Sequence, residues 1–170
     1  MCFWKNLAKF VGMKQSIDFL PERKQRDLHE LVGLIRDEVK DVVMIILYGS
    51  YARNTYVELD IRRDYGGGKI QYMSDYDILV VSKKRLGSRT VTVSSRVKSS
   101  FLKNKNADTQ TRPQIINESI TKFNNALSEG RYFYVDILTE GIVLYDSGEC
   151  QLATPVSYTH LRAHETSQDL

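Results

Sequence analysis

Cysteine is nearly absent from this 170-residue chain: Cys2 and Cys150 sit near opposite ends, without a C-x-x-C spacing. That excludes a disulfide-built scaffold and a cysteine-based zinc site, and it suits a reducing, cytoplasmic setting. Histidine is as scarce, with only His29, His160 and His164, so a histidine-rich metal centre has little to draw on. No stretch approaches the roughly 20 uninterrupted apolar residues of a membrane span. Internal repeats are lacking too. What remains is ordinary: 42% hydrophobic residues, 26% charged residues and a net charge of +3. Such a composition excludes collagen-like, low-complexity and wholly disordered chains, and the length suits one domain.

The two ends read differently from the middle. The stretch MCFWKNLAKFVG ahead of Met13 is short, mildly basic and apolar. It is too brief for a secretory signal with its cleavage site. Two readings stay open, a genuine extension that docks Phe3, Trp4 and Phe10, or a start placed upstream of the true one. At the other end, VSYTHLRAHET from Val156 to Thr166 resembles a reading-frame translation of a transposase-type library adapter. It has no apolar period, cap or turn signal. Residues 155–170 are therefore expected to be foreign to the fold, and the natural chain is expected to continue into a further domain. Without residues 156–170, which hold Arg162, Glu165 and Asp169 and so net −1, the chain carries +4 and keeps His29 alone.

Between the ends, helix and strand signals alternate. Pro21-Glu22 is a helix entry, with proline suited to the first turn and a carboxylate favoured by the dipole. Leu28, Leu31, Val32, Ile35 and Val39 then recur at helical spacing, with Arg23, Lys24, Arg26, Asp37 and Lys40 on the opposite side. The spacing predicts an amphipathic helix from Glu22 to Lys40. Val42 to Tyr48, VVMIILY, reads as a strand buried on both faces. Tyr56–Arg62 and Ile70–Tyr72 flank Gly66-Gly67-Gly68 and suggest a hairpin. A second buried strand is expected over Ile78–Val81. Lys83 to Lys105 holds eight Lys or Arg residues and no acid, and reads as a solvated basic loop. A strand over Arg112–Ile116, a helix over Glu118–Ser128 and a last strand over Ile142–Tyr145 follow, while Tyr132–Leu138 is ambiguous. The alternation predicts an α/β domain with a mixed sheet in two or three layers.

Chemistry concentrates at two strand ends. Gly49-Ser50 closes the first buried strand with small residues that let a ligand approach the backbone. Arg53 adds a cation, and a helical turn over Tyr51–Asn54 would point free N–H groups at a phosphate. Asp75 and Asp77 flank Tyr76 at the mouth of the next buried strand, so both carboxylates project to one face. A like-charged pair at the mouth of an apolar strand calls for a cation, and oxygen-only ligands suit Mg²⁺ or Mn²⁺ bridging to substrate phosphates. His29 reads as a helix-surface residue. Tyr48, Tyr51, Tyr56, Tyr72 and Tyr76 cluster near the motifs and read mostly as packing and rim residues.

Together ILYGSYARN and MSDYDILVV resemble the nucleotidyltransferase superfamily of the polymerase-β type, and most of all its minimal nucleotidyltransferase (MNT) group. The likeness spans Pro21 to Gly148, including the closing EGIVLYDSG. It implies a polymerase-β-like core over 13–154 with a hairpin insertion at 56–73, because residues 51–74 outnumber the usual MNT spacing. It implies catalytic and metal-binding roles for Asp75 and Asp77, and nucleotide contacts for Gly49, Ser50 and Arg53. The family's third carboxylate has two candidate places here: the strand position near Gln114, which holds no acid, and Asp136. The implied activity is Mg²⁺- or Mn²⁺-dependent transfer of a nucleoside monophosphate, AMP from ATP above all, to a hydroxyl. In MNT systems that hydroxyl is a tyrosine of a HEPN-type partner in a toxin–antitoxin pair; no membrane or nucleic acid is expected as partner. The alternatives are a non-catalytic nucleotide- or partner-binding module with a degenerate site, and an aminoglycoside-type nucleotidyltransferase.

Overall fold

The computed structural model describes residues 13–155 apart from 64, 104 and 107–109. The readings on residues 1–12 and on the adapter-like tail from Val156 lie outside the described residues. Helix α1 runs Glu22–Glu38, strand β1 Val42–Tyr48, the short helix α2 Gly49–Arg53, and β4 Tyr76–Ser82. Between α2 and β4, β2 (Asp60–Arg63) and β3 (Lys69–Tyr72) form a separate two-stranded antiparallel hairpin. The chain then passes through α3 (Arg89–Leu102), β5 (Pro113–Ser119), α4 (Ile120–Ser128), α5 (Tyr132–Glu140) and β6 (Ile142–Asp146).

Four strands make a mixed sheet in the order β5-β4-β1-β6. Strand β1 lies at its centre, antiparallel to β4 and β6, and β4 pairs parallel with β5. Because β1 is central, both faces of VVMIILY must be covered, and Val42 to Leu47 are all buried. On one face Ile45, Leu47, Ile78 and Val80 pack against Leu28, Leu31 and Ile35 of α1 and Val93, Val97 and Phe101 of α3. On the other, Met44, Ile46, Leu79 and Val81 pack against Phe123 and Leu127 of α4 and Val135 and Ile137 of α5. The result is an α+β domain of three layers, a mixed sheet with helices on both faces. Among the described residues no helix is long and apolar enough to cross a membrane.

The structure corrects two sequence expectations and decides a third segment that the sequence left open. The basic stretch Lys83–Lys105 contains helix α3: Val93, Val97 and Phe101, spaced by four, form a buried stripe that the lysines and arginines obscure. Tyr132–Glu140, ambiguous in the sequence, is a helix with Val135 and Ile137 buried. Lys24 of α1, expected on the solvent side, is 1% exposed and belongs, with the buried Asp27, to a polar cluster in the core.

Candidate active site

Strand register brings the two motifs together. Asp77 lies directly across from Tyr48 on β1 and beside Gln114 on β5, so Gly49, the residue after Tyr48, abuts it. Gly49 has φ +71°, a conformation L side chains rarely adopt. A Cβ there would overlap Asp77 Oδ2 and lie 3.1 Å from its Cγ. The glycine is thus required twice, by its backbone angle and by the carboxylate resting on its Cα. Asp75 precedes β4, and its Oδ2 accepts a bond of 3.3 Å from Gln114 Nε2. Tyr76 between the two acids turns to the opposite face and donates to Asp27 at 3.0 Å.

The electrostatics follow from this crowding. Burial pushes the Asp77 carboxyl above its ordinary value, the neighbouring Asp75 charge pushes the same way, and Arg53 partly opposes them. The Tyr48 phenol is raised to about 12, first by burial and then by Asp77. Arg53 Nη1 is paired at 3.1 Å with Glu140 of α5, both side chains being about half exposed. Its charge therefore stands beside the acid pair rather than on it. Ser50 is partly buried at the start of α2, and its carbonyl accepts the Thr55 N–H at 2.9 Å.

Asp136 lies on α5 rather than on a strand. Phe133, Asp136 and Glu140 are spaced to share one stripe of that helix. Its ends are fixed by Phe133, whose ring meets Tyr48 edge-on at 5.7 Å, and by Glu140, paired with Arg53. Among the described residues no group of three or more His, Cys, Asp or Glu side chains is arranged to hold a metal ion. Asp136 therefore does not complete a three-carboxylate set with Asp75 and Asp77, and Gln114 takes the place beside Asp77 on the neighbouring strand. The two carboxylates still suit a hard cation. They face the same way, one rests on a bare glycine Cα, and their mutual charge is only partly offset by Arg53. Mg²⁺ is commonly held by one or two carboxylates together with substrate phosphates.

Sequence reasoning missed the polar cluster beneath this site. Lys24 Nζ donates to Thr111 Oγ1 at 2.6 Å and to the Tyr51 hydroxyl at 3.1 Å, with Glu58 3.9 Å away. Burial lowers the Lys24 pKa, with the nearby Arg23 charge adding to the effect. Tyr51 stacks on Tyr56 at 4.2 Å and lies 4.6 Å from Tyr76. The cluster ties α1 to the Gly49 turn and to the segment entering β5, whose Arg112 carbonyl takes the Tyr76 N–H at 2.8 Å. Lys24 sits among Arg23, Gln25 and Arg26, so composition gave no sign of its burial.

No family model matches the chain, and no curated protein matches it. Among solved structures, one described as a "putative nucleotidyltransferase" from Sulfolobus solfataricus is similar. It is 16% identical, covers 80% of this chain and 93% of its own, and superposes with a TM-score of 0.40. What the site can do follows from its own residues.

Proposed function

We propose that this domain is a nucleotidyltransferase that moves a nucleoside monophosphate from a triphosphate to a hydroxyl. The observation that carries this reading is the Asp77 carboxylate resting on Gly49, with Asp75 on the same face. It sets a pair of carboxylates suited to a hard cation against the turn that begins α2.

Asp75 and Asp77 would hold one or two Mg²⁺ ions, which supply charge neutralisation at the α-phosphate and at departing pyrophosphate. Gly49, lacking a Cβ, lets the Asp77 carboxylate sit against the turn, and Ser50 and Arg53 would contact the phosphates. The acceptor oxygen forms a bond to the α-phosphorus, the α–β bridging bond breaks, and pyrophosphate leaves. Gln114, an amide, cannot take up the acceptor's proton, which passes to solvent. The resemblance of the GSYAR and SDYD segments to the minimal nucleotidyltransferase group favours AMP from ATP, and a tyrosine of a HEPN-type partner as acceptor.

The experiment is incorporation of label from α-labelled ATP into protein with Mg²⁺, comparing the full chain with Asp75→Asn and Asp77→Asn, alone and with a HEPN-domain partner. Loss of labelling in both variants supports the reading. Equal labelling in all three proteins would sink it. Tight Mg·ATP binding with no transfer under any condition favours the second reading, a nucleotide-binding module, to which Gln114 beside Asp77 on β5, an amide rather than an acid, lends weight.

A further inference from the structure

An aromatic ledge borders the acid pair: Tyr48 and Tyr134 pack against the core, and Phe133 stands exposed beside them. Phe133 opens α5 and is 45% exposed, in a chain whose other phenylalanines on the sheet faces, Phe101 and Phe123, are fully buried. It touches two rings, Tyr48 at 5.7 Å and 87° and Tyr134 at 5.3 Å and 81°. Both contacts are edge-to-face, so neither neighbour lies flat on it. Tyr48 is the cross-strand partner of Asp77. The ledge therefore begins one residue's width from the carboxylate that Gly49 cradles.

The rest of that α5 stripe is acidic. Asp136 lies one turn beyond Phe133 and Glu140 one turn further, with Glu140 already paired to Arg53. Phosphate oxygens are repelled from such a stripe, whereas a flat ring at its aromatic end meets no like charge. A molecule with an anionic end over Asp75 and Asp77 and an aromatic end a short distance away matches both halves. We propose that Phe133, backed edge-on by Tyr48, is the stacking platform for the nucleobase of the bound triphosphate. This inference rests on the nucleotidyltransferase reading and adds to it the site of the base. Stacking would be tolerant of base identity, since every base presents a π-face.

The test is calorimetric titration of the full chain with Mg·ATP and, separately, with Mg·tripolyphosphate, which lacks a base. Phe133→Ala is expected to weaken ATP binding by about tenfold or more, the usual range for a lost base–aromatic stack, and to leave tripolyphosphate binding unchanged. Phe133→Trp is expected to keep ATP binding, with its own fluorescence quenched by the base. Thermal melts check that the exposed substitution leaves the fold intact. Unchanged ATP affinity in Phe133→Ala overturns the proposal, as does an equal loss for tripolyphosphate. Wild type that binds both ligands with the same affinity overturns the platform but leaves the phosphate site standing. Wild type that binds neither overturns both readings together. An effect confined to the KM for a protein acceptor would assign the ledge to the acceptor's ring and overturn the assignment to the base.

Discussion

Replacing Gly49 with alanine probes the contact on which the site is built. An alanine at φ near +71° costs about 1–2 kcal/mol for its left-handed backbone. Its Cβ must also displace the Asp77 carboxylate, and forcing a side chain off its rotamer adds about 0.5–1.5 kcal/mol. The sum, about 1.5–3.5 kcal/mol, lowers Tm by roughly 3–14 °C at about 2–4 °C per kcal/mol. Gly148 is the matched control: its φ is +72°, but an added Cβ meets nothing within 4 Å. Gly148→Ala should therefore lose only the backbone part, about 1–2 kcal/mol, with transfer activity unchanged. Gly49→Ala should lose transfer by about 100-fold, the scale of a displaced catalytic group. Thermal melts and α-label transfer on the two variants supply the numbers. Equal melting losses combined with equal activities would refute the claim that Gly49 and Asp77 form one unit.

Further outcomes follow from the same geometry. Asp77 has its folded-state pKa raised above the ordinary value of 3.8, so the folded state binds more protons and stability falls as pH rises through that raised value. In urea titrations with EDTA, Asp77→Asn should exceed wild type in stability at pH 7, with the gap closing below about pH 4; a gap that persists at low pH contradicts the assignment. Gln114→Glu places a third carboxylate next to Asp75, and it should destabilise the metal-free domain while tightening Mg²⁺ or Mn²⁺ binding. Weaker metal binding in that variant would show that position 114 does not face the cation. Phe101→Ala should cost about 3–5 kcal/mol, because Phe101 is fully buried on α3; a loss under 1 kcal/mol would mean that the basic segment is a surface loop after all.

The strands were readable where burial is uniform. VVMIILY needed no tertiary information, since a short β-branched and aliphatic run ending at Gly49-Ser50 favours a buried strand, and its bounds match β1. The Gly49 turn and the Asp75–Asp77 spacing were equally legible, because both are local patterns. Their meeting was not, since it depends on β1 pairing antiparallel with β4 in a register that sets Tyr48 against Asp77. Helix α3 was hidden by charge: eight cations over 23 residues masked a stripe of only three buried side chains. Tyr132–Glu140 stayed ambiguous because its aromatic and β-branched residues favour strand locally, and in the fold it is a helix packed against Tyr48 and Phe123. Lys24 and Phe133 carried no sequence signal at all. One is a lysine among exposed cations and the other an aromatic in an aromatic run, and only the surrounding elements determine that the first is buried and the second is open.

The central claim is that Asp75, Asp77 and Gly49 direct attack at the α-phosphorus. Parallel reactions with α-labelled and γ-labelled ATP, each with Mg²⁺ and a hydroxyl-bearing acceptor protein, test it most directly. The α-label is predicted to remain on the acceptor and the γ-label to leave as pyrophosphate, with both outcomes abolished by Asp77→Asn. Retention of the γ-label on the acceptor, or α-labelling that survives the substitution, would contradict it.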